Sequence, residues 1–223
     1  MVEGTKRTVG RPRARNKGPA GPAKDAILLA AAELFASRGY AATSTREIAD
    51  RVGIRQPSLF YHYSRKEDIL RAIVDQAAAA LIEKLPGFER REGRAAVKLY
   101  ELMKLDFLYL LTEPYRIGQL MLLPELRSGE LRRIVAKKRN RIIGAYRKLI
   151  KLGIEEGDFQ CSDVTVATFT VFGMGEATWT WYRPSRTKTP ARIAENIADM
   201  ALRALLVEPG RLESVKNAAK SSP

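Results

Sequence analysis

Two residue types that anchor catalytic and metal chemistry are almost missing from this chain. Cys161 is its single cysteine and His62 its single histidine, so no internal disulfide forms and no Cys/His set can hold a structural zinc. No serine sits at a nucleophile elbow, and Gly173-Met174-Gly175 has neither the preceding strand nor the third glycine of a phosphate-cradling loop. An enzyme is therefore not expected, nor a bound metal or cofactor. No run approaches the roughly 18 apolar residues of a membrane helix. The opening stretch MVEGTKRTVGRPRARNKGPAGP is basic but leads into no apolar segment, so it does not read as a secretory signal. A cytoplasmic address without membrane contact is expected.

Acidic residues are also in deficit. Against 39 Lys plus Arg there are 25 Asp plus Glu in 223 residues, a net charge of +14. Such an excess favours a polyanionic partner: nucleic acid first, an anionic membrane surface or ligand behind it. The excess is uneven. Residues 1–24 hold seven basic and one acidic residue, residues 25–85 eight of each, and residues 86–223 hold 24 and 16. Residues 1–21 lack periodic apolar positions and read as a disordered arm. Its Gly10-Arg11-Pro12-Arg13 stretch is similar to the short arms that enter AT-rich minor grooves, which points to Arg11 and Arg13 as DNA contacts.

From residue 22 the pattern turns helical. Ile27, Ala31, Leu34 and Phe35 recur at helical spacing and Gly39 follows as a stop, predicting a helix over 23–38. Ser44 with Glu47 reads as a capping box opening a second helix that Gly53 closes, and Pro57 suits the first position of a third. Ser64 with Glu67 reads as another box, opening a fourth helix that ends before Pro86. Two short helices around a Gly-containing turn predict a helix-turn-helix. In the third, Leu59 is the natural inward residue, while Gln56, Ser58, Tyr61 and His62 offer amide, hydroxyl, phenol and imidazole groups outward. Gln reads adenine bidentately, and the others donate to base edges or phosphates.

The stretch ILLAAAELFASRGYAATSTREIADRVGIRQPSLFYHYSRKEDIL, residues 27–70, resembles the amino-terminal signature of TetR-family repressors. The resemblance implies an all-α fold of about nine helices: a helix-turn-helix domain (22–66), a linking helix (67–85) and a larger helical ligand-binding and dimerisation domain (86–210), followed by a flexible tail (211–223). It implies DNA contacts at Thr45, Arg46, Gln56, Pro57, Ser58, Tyr61, His62 and Lys66. Phe60 stands where the family usually has a phosphate-donating Tyr. The partners implied are a double-stranded operator, a second copy of the chain and a hydrophobic small-molecule effector.

Beyond Pro86, helices are expected over 91–112, 114–123, 128–156, 162–182 and 189–207. Helix 128–156 carries a run of Lys and Arg around an apolar stripe, the pattern of a solvated face. Helix 162–182 has one charge, Glu176, between Thr165 and Tyr182, so it lies in the core or against a second subunit. Gly173 and Ala177 form a small-residue row on it. Ile193, Ile197, Met200, Ala201 and Ala204 on the last helix complete the expected dimer face, where the family places its four-helix bundle. Tyr100, Met103, Phe107, Met121, Tyr146, Phe172 and Trp179 are the candidate ligand lining, though core packing explains such residues equally well. The WYRP stretch at 181–184 is similar to acyl-thioester-sensing members, which makes a fatty acyl-CoA the expected effector type, with Arg116 and Arg183 meeting its anionic groups. Asp106 and Glu176 are the acids that a cationic drug would need. The rival reading is a charge-driven nucleoid-type or RNA-binding protein without a ligand switch.

Overall fold

The computed structural model describes residues 21–183 and 185–221, and among these the regular secondary structure is helical apart from one isolated antiparallel bridge between Phe159 and Leu206. The expectations for residues 1–20, Arg11 and Arg13 included, lie outside the described residues. Helix α1 (Pro22–Arg38) starts on a proline, whose missing N–H is no loss in a first turn, and ends where Gly39 turns to φ 87°. Helix α2 (Thr45–Val52) opens on the expected box: Ser44 Oγ accepts from the Glu47 amide at 3.1 Å and the Glu47 carboxylate accepts from the Ser44 amide at 2.8 Å. Left-handed Gly53 closes it. Helix α3 (Gln56–His62) follows, with Pro57 second rather than first. The other box forms one residue late. Arg65 is extended ahead of α4 (Lys66–Gln76), and Asp68 rather than Glu67 accepts its amide, at 2.9 Å.

The linking helix is not continuous. It stops at Gln76, and α5 (Ala79–Arg90) begins anew with Pro86 inside it. Between them Ala78 sits at φ 63°, a left-handed conformation that costs a residue with a Cβ roughly 1–2 kcal/mol. Tertiary contact outweighs that cost: the Ala78 amide donates to Tyr109 Oη at 3.0 Å, and Ala77 and Leu81 are buried on either side.

Then come α6 (Ala95–Thr112), α7 (Ile117–Leu120), a 3-10 turn (Pro124–Leu126) and α8 (Gly129–Glu155). The expected 162–182 helix is two pieces, α9 (Val164–Glu176) and α10 (Thr178–Trp181), and α11 (Pro190–Leu205) follows. The expected flexible tail is helix α12 (Leu212–Ser221). Leu212 and Val215, three apart on one face, are buried in the core, while Lys216 Nζ pairs with Asp199 at 2.7 Å and Glu195 at 3.4 Å.

Two apolar cores result. One gathers α1 to α4 around Ile27, Phe35, Ile48, Leu59, Ile69 and Ile73, and continues into Tyr115, Leu120, Leu123, Leu126 and Leu131 from the α7 region. The other surrounds α6, which packs against α5, α8, α9, α11 and α12. Close approach within it depends on glycine: a Cβ at Gly175 would stand 2.5 Å from the Phe107 ring.

One buried carboxylate clasps the far end of this second core. Asp158, fully buried, accepts from Arg94 at 2.6 and 2.8 Å and from Arg211 at 2.9 Å. Burial pushes the carboxyl pKa up, but the Arg94 hydrogen bonds and charge, then Arg211, outweigh burial and hold it below its ordinary value. Asp158→Asn should therefore destabilise the protein near neutral pH. Both arginines reach water, so the loss should fall below the 3–5 kcal/mol of a fully buried pair, at about 2 kcal/mol. A carboxyl held low contributes stability above its unfolded pKa and loses it as the pH falls through the folded value. Urea midpoints of the two proteins should accordingly converge in acid.

Candidate nucleic-acid interface and seam cavity

Helix α3 is held from behind by Leu59, which is wholly buried, and presents its polar residues outward. Tyr61 is 80 % exposed and Phe60 43 %. Ser58 is exposed, and the His62 ring stands edge-on to Tyr61 at 5.3 Å between centroids. Gln56 is half-buried and already oriented: its Nε2 donates to Thr45 Oγ1 at 2.9 Å, leaving one N–H and the carbonyl oxygen to face outward. Thr45 and Arg46 open α2 beside it, Arg46 exposed and 4.0 Å from Asp50. Pro57 brings no polar group and serves the backbone of α3.

Lys66 is committed inward. Its Nζ donates to the carbonyls of Tyr40 and Thr43, each at 2.7 Å, and stands 4.3 Å over the Tyr40 ring. Two of its three protons fasten the α1–α2 connection, so the expectation of a simple phosphate contact is too narrow. Lys66→Ala should lower the melting temperature as well as DNA affinity. A variant with weaker binding and unchanged melting would return Lys66 to the role of a surface cation.

At the seam between the two cores lies a cavity of about 80 Å³, whose exposed inner surface is mostly apolar although Asp106, Lys138, Arg139 and Glu176 also stand on its wall. Val74 comes from α4, Ala77 from the break after it, Leu81 from α5, Met121 from just after α7, Phe172 from α9 and Trp179 from α10. Of the candidate ligand residues, Met121, Phe172 and Trp179 reach it. Tyr100, Met103 and Phe107 are packed in the second core instead, with the Tyr100 hydroxyl donating to Asp199 at 2.7 Å. Tyr146 stands behind the wall, donating to Asp106 Oδ2 at 2.7 Å. Asp106 itself lines the cavity, as does the Arg139–Glu176 pair, joined at 2.7 and 3.0 Å. Sequence reasoning missed Val74, Ala77, Ala78, Leu81 and Tyr109, because neither glycine nor proline marks the break at Ala78 that turns them inward.

Helices α9 and α11 pack together and leave apolar groups in the open. Val166 is 63 % exposed, Phe169 44 % and Met200 65 %. Ala177 and Ala204 are exposed and Ile193 and Ile197 half-buried, while a Cβ at Gly173 would meet no atom within 4 Å. Ala201 departs from the expected face: it is fully buried within the protomer, because α11 turns Ala194, Ala198 and Ala201 toward α6.

The comparisons agree with this geometry. Residues 27–73 match the family model described as "Bacterial regulatory proteins, tetR family", and residues 94–205 match "Tetracyclin repressor-like, C-terminal domain". The chain belongs to the TetR family. It is thus a DNA-binding transcriptional regulator, all-α with a helix-turn-helix domain and a helical carboxyl-terminal domain. Among the TetR relatives, the transcriptional activator FasR of Mycolicibacterium smegmatis is 32 % identical over 120 residues, 51 % of this chain and 53 % of its own. The repressor KstR2 of the same organism is 28 % identical over 209 residues, 82 % and 92 % of the two chains. The crystal structure of Mycobacterium smegmatis AmtR superposes with a TM-score of 0.71 and 30 % identity, covering 93 % of this chain and 98 % of that one. Among the described residues no helix is long and apolar enough to cross a membrane, and no group of His, Cys, Asp and Glu could hold a metal ion.

Asp106 gives the TetR cavity a titratable wall. Burial raises its carboxyl to about 7, with Glu176 adding to the rise and the Tyr146 hydrogen bond opposing it. A carboxyl raised in the folded state contributes stability while it holds its proton, and that contribution declines as the pH rises from about 4 to about 7. Asp106→Asn, which cannot ionise, should thus be more stable than the natural chain at pH 8 by a few kcal/mol, with the gap narrowing steadily toward pH 4. A gap independent of pH, measured by urea unfolding, would remove Asp106 from this role.

Proposed function

We propose that this chain is a homodimeric cytoplasmic repressor that binds a palindromic operator through α3 and is released from it by a hydrophobic small molecule, of the fatty acyl-CoA type, entering the seam cavity. Each subunit would set one α3 in a major groove, Gln56 and Ser58 nearest the bases and Tyr61 and His62 on phosphates, with Arg11 and Arg13 in the adjoining minor groove. The match to a repressor over most of its length supports the negative sign.

The observation that carries the switch is where the cavity lies. Its walls are α4 and the Ala77–Ala78 break on one side and α6 to α10 on the other, so its contents bear directly on how the DNA-reading core sits against the rest. At about 80 Å³ it is far below the roughly 300 Å³ at which ligand pockets begin. A ligand of that size must part the walls, and α4 is the wall that leads to α3. Moving the two α3 helices off the separation of successive major grooves, about 34–36 Å, lowers operator affinity. A typical coupling of 1–3 kcal/mol is a loss of roughly 5- to 150-fold, and the operator must weaken the ligand equally.

Selection of bound sequences from a random duplex pool should return a two-fold symmetric site. Gln56→Ala should then relax preference at one base pair per half-site by about 1–3 kcal/mol, leaving the other positions unchanged. A panel of acyl-CoAs and free fatty acids titrated against labelled operator should release it. If none releases DNA or raises the melting temperature, the cavity is a packing defect.

The subunit contact is tested on α9. Phe169→Asp puts a charge where a second copy would exclude water, a change too costly to tolerate without a partner charge. It should give monomers by light scattering and abolish operator binding while the helical signal persists. Dimers that survive this change would place the contact elsewhere.

A further inference from the structure

A second hollow, of about 350 Å³ and of mixed polar and apolar lining, adjoins the seam cavity. Leu110 and Trp179 line both, so the Trp179 indole forms part of the partition between them. The ring rests directly on Gly118: a Cβ there would stand 2.1 Å from Trp179 Cγ. Its Nε1 is buried with no hydrogen-bond partner among the described residues, an unmet donor at the boundary between an oily chamber and a polar one.

The polar chamber carries two arginines, Arg116 and Arg183. Neither has a carboxylate partner among the described residues; Arg183 Nη1 donates only to the Tyr182 carbonyl, at 2.7 Å. Arg116 is one of two non-glycine residues at positive φ among the described residues, at 51°. Glu113 holds it there, its carboxylate accepting from the amides of Tyr115 and Ile117 on either side. Glu113 is thus held on the backbone and forms no ion pair with either arginine among the described residues.

We infer that the two hollows are halves of one site for a single-chain anionic amphiphile, with the tail in the seam cavity, the head between Arg116 and Arg183, and Trp179 as the movable divider whose Nε1 donates to an oxygen near the head. The inference rests on the proposal that the seam cavity takes an effector. It goes further in joining the second hollow to the seam cavity and in making Trp179 the element between them. Carboxylate and phosphate heads share the chemistry that arginine recognises.

The test uses the full-length protein with Trp181→Phe, which leaves Trp179 as the sole tryptophan. Decanoate, decyl phosphate, decanol, decyltrimethylammonium and inorganic phosphate are titrated below their aggregation concentrations, with Trp179 emission and calorimetry as readouts. Decanoate or decyl phosphate should bind and shift the emission, decanol should bind more weakly, and the cation and inorganic phosphate weakly or not at all. Comparing the two anions tells a carboxylate site from a phosphate site. Arg116→Gln and Arg183→Gln, both at exposed positions, should each cost the anions roughly tenfold in affinity and leave decanol unchanged. Decanol binding as tightly as the anions, or arginine variants without effect, overturns the head-group assignment while leaving an apolar effector standing. Inorganic phosphate binding as well as decyl phosphate overturns the joined site. If no probe binds, this inference and the effector reading both fall.

Discussion

Four short helices bury too little apolar surface to hold a reading helix rigid, since small domains gain least from folding. This chain meets the constraint by borrowing. Tyr115, Leu120, Leu123, Leu126 and Leu131, from the stretch between α6 and α8, complete the core that α1 to α4 begin. The DNA-reading unit is thus closed by residues belonging, in chain order, to the other domain. Its position cannot be independent of theirs, and the cavity opens beside those borrowed residues, where Ile117 of α7 and Met121 just after it share its wall with α4.

The polar groups around that seam divide by role. Arg71 with Glu130 at 2.7 Å, and Lys138 donating to the Asp75 carbonyl at 2.6 Å, tie α4 to α8 from outside. Such exposed ties contribute little each, from nothing to about 1 kcal/mol, so they guide the approach of the helices rather than lock it. Asp106 lies within, where water is scarce and charge is costly, whereas the Arg139–Glu176 pair is partly exposed at the rim. The Arg139 guanidinium also stands 5.0 Å over the Phe172 ring. The Arg139–Glu176 pair thus ties α8 to α9 on one side of the cavity, and Ala78 lies on the other.

Most of the amino-terminal half was legible because its signals are local. Ser44 with Glu47, Gly39 and Gly53 each act within a few residues, and the structure uses each as the sequence suggests. Legibility failed where distant packing overrode local chemistry. Pro86 reads as a stop, yet it lies inside α5, and the linking helix breaks earlier, at Ala78, whose amide donates to a Tyr109 hydroxyl some thirty residues away in the chain. Aromatic residues at helical spacing look alike whether they fill a core or line a cavity. Thus Tyr100 and Phe107 could not be told from Phe172 and Trp179 until the elements were placed. Ala201 failed for a narrower reason: one step around α11 separates a buried alanine from the exposed Met200.

The Asp158 clasp has a consequence for the order in which a growing chain acquires structure. It joins Arg94, at the start of α6, to Arg211, just before α12. With a single cysteine, no covalent staple can substitute for it. During synthesis the second core must wait until Arg211 and α12 have emerged, whereas the DNA-reading core has all its apolar residues once Leu131 is out. The half that contacts nucleic acid is therefore ready first, and for the interval between the two events it stands on an unfinished partner, with α6 still lacking the cover of α11 and α12.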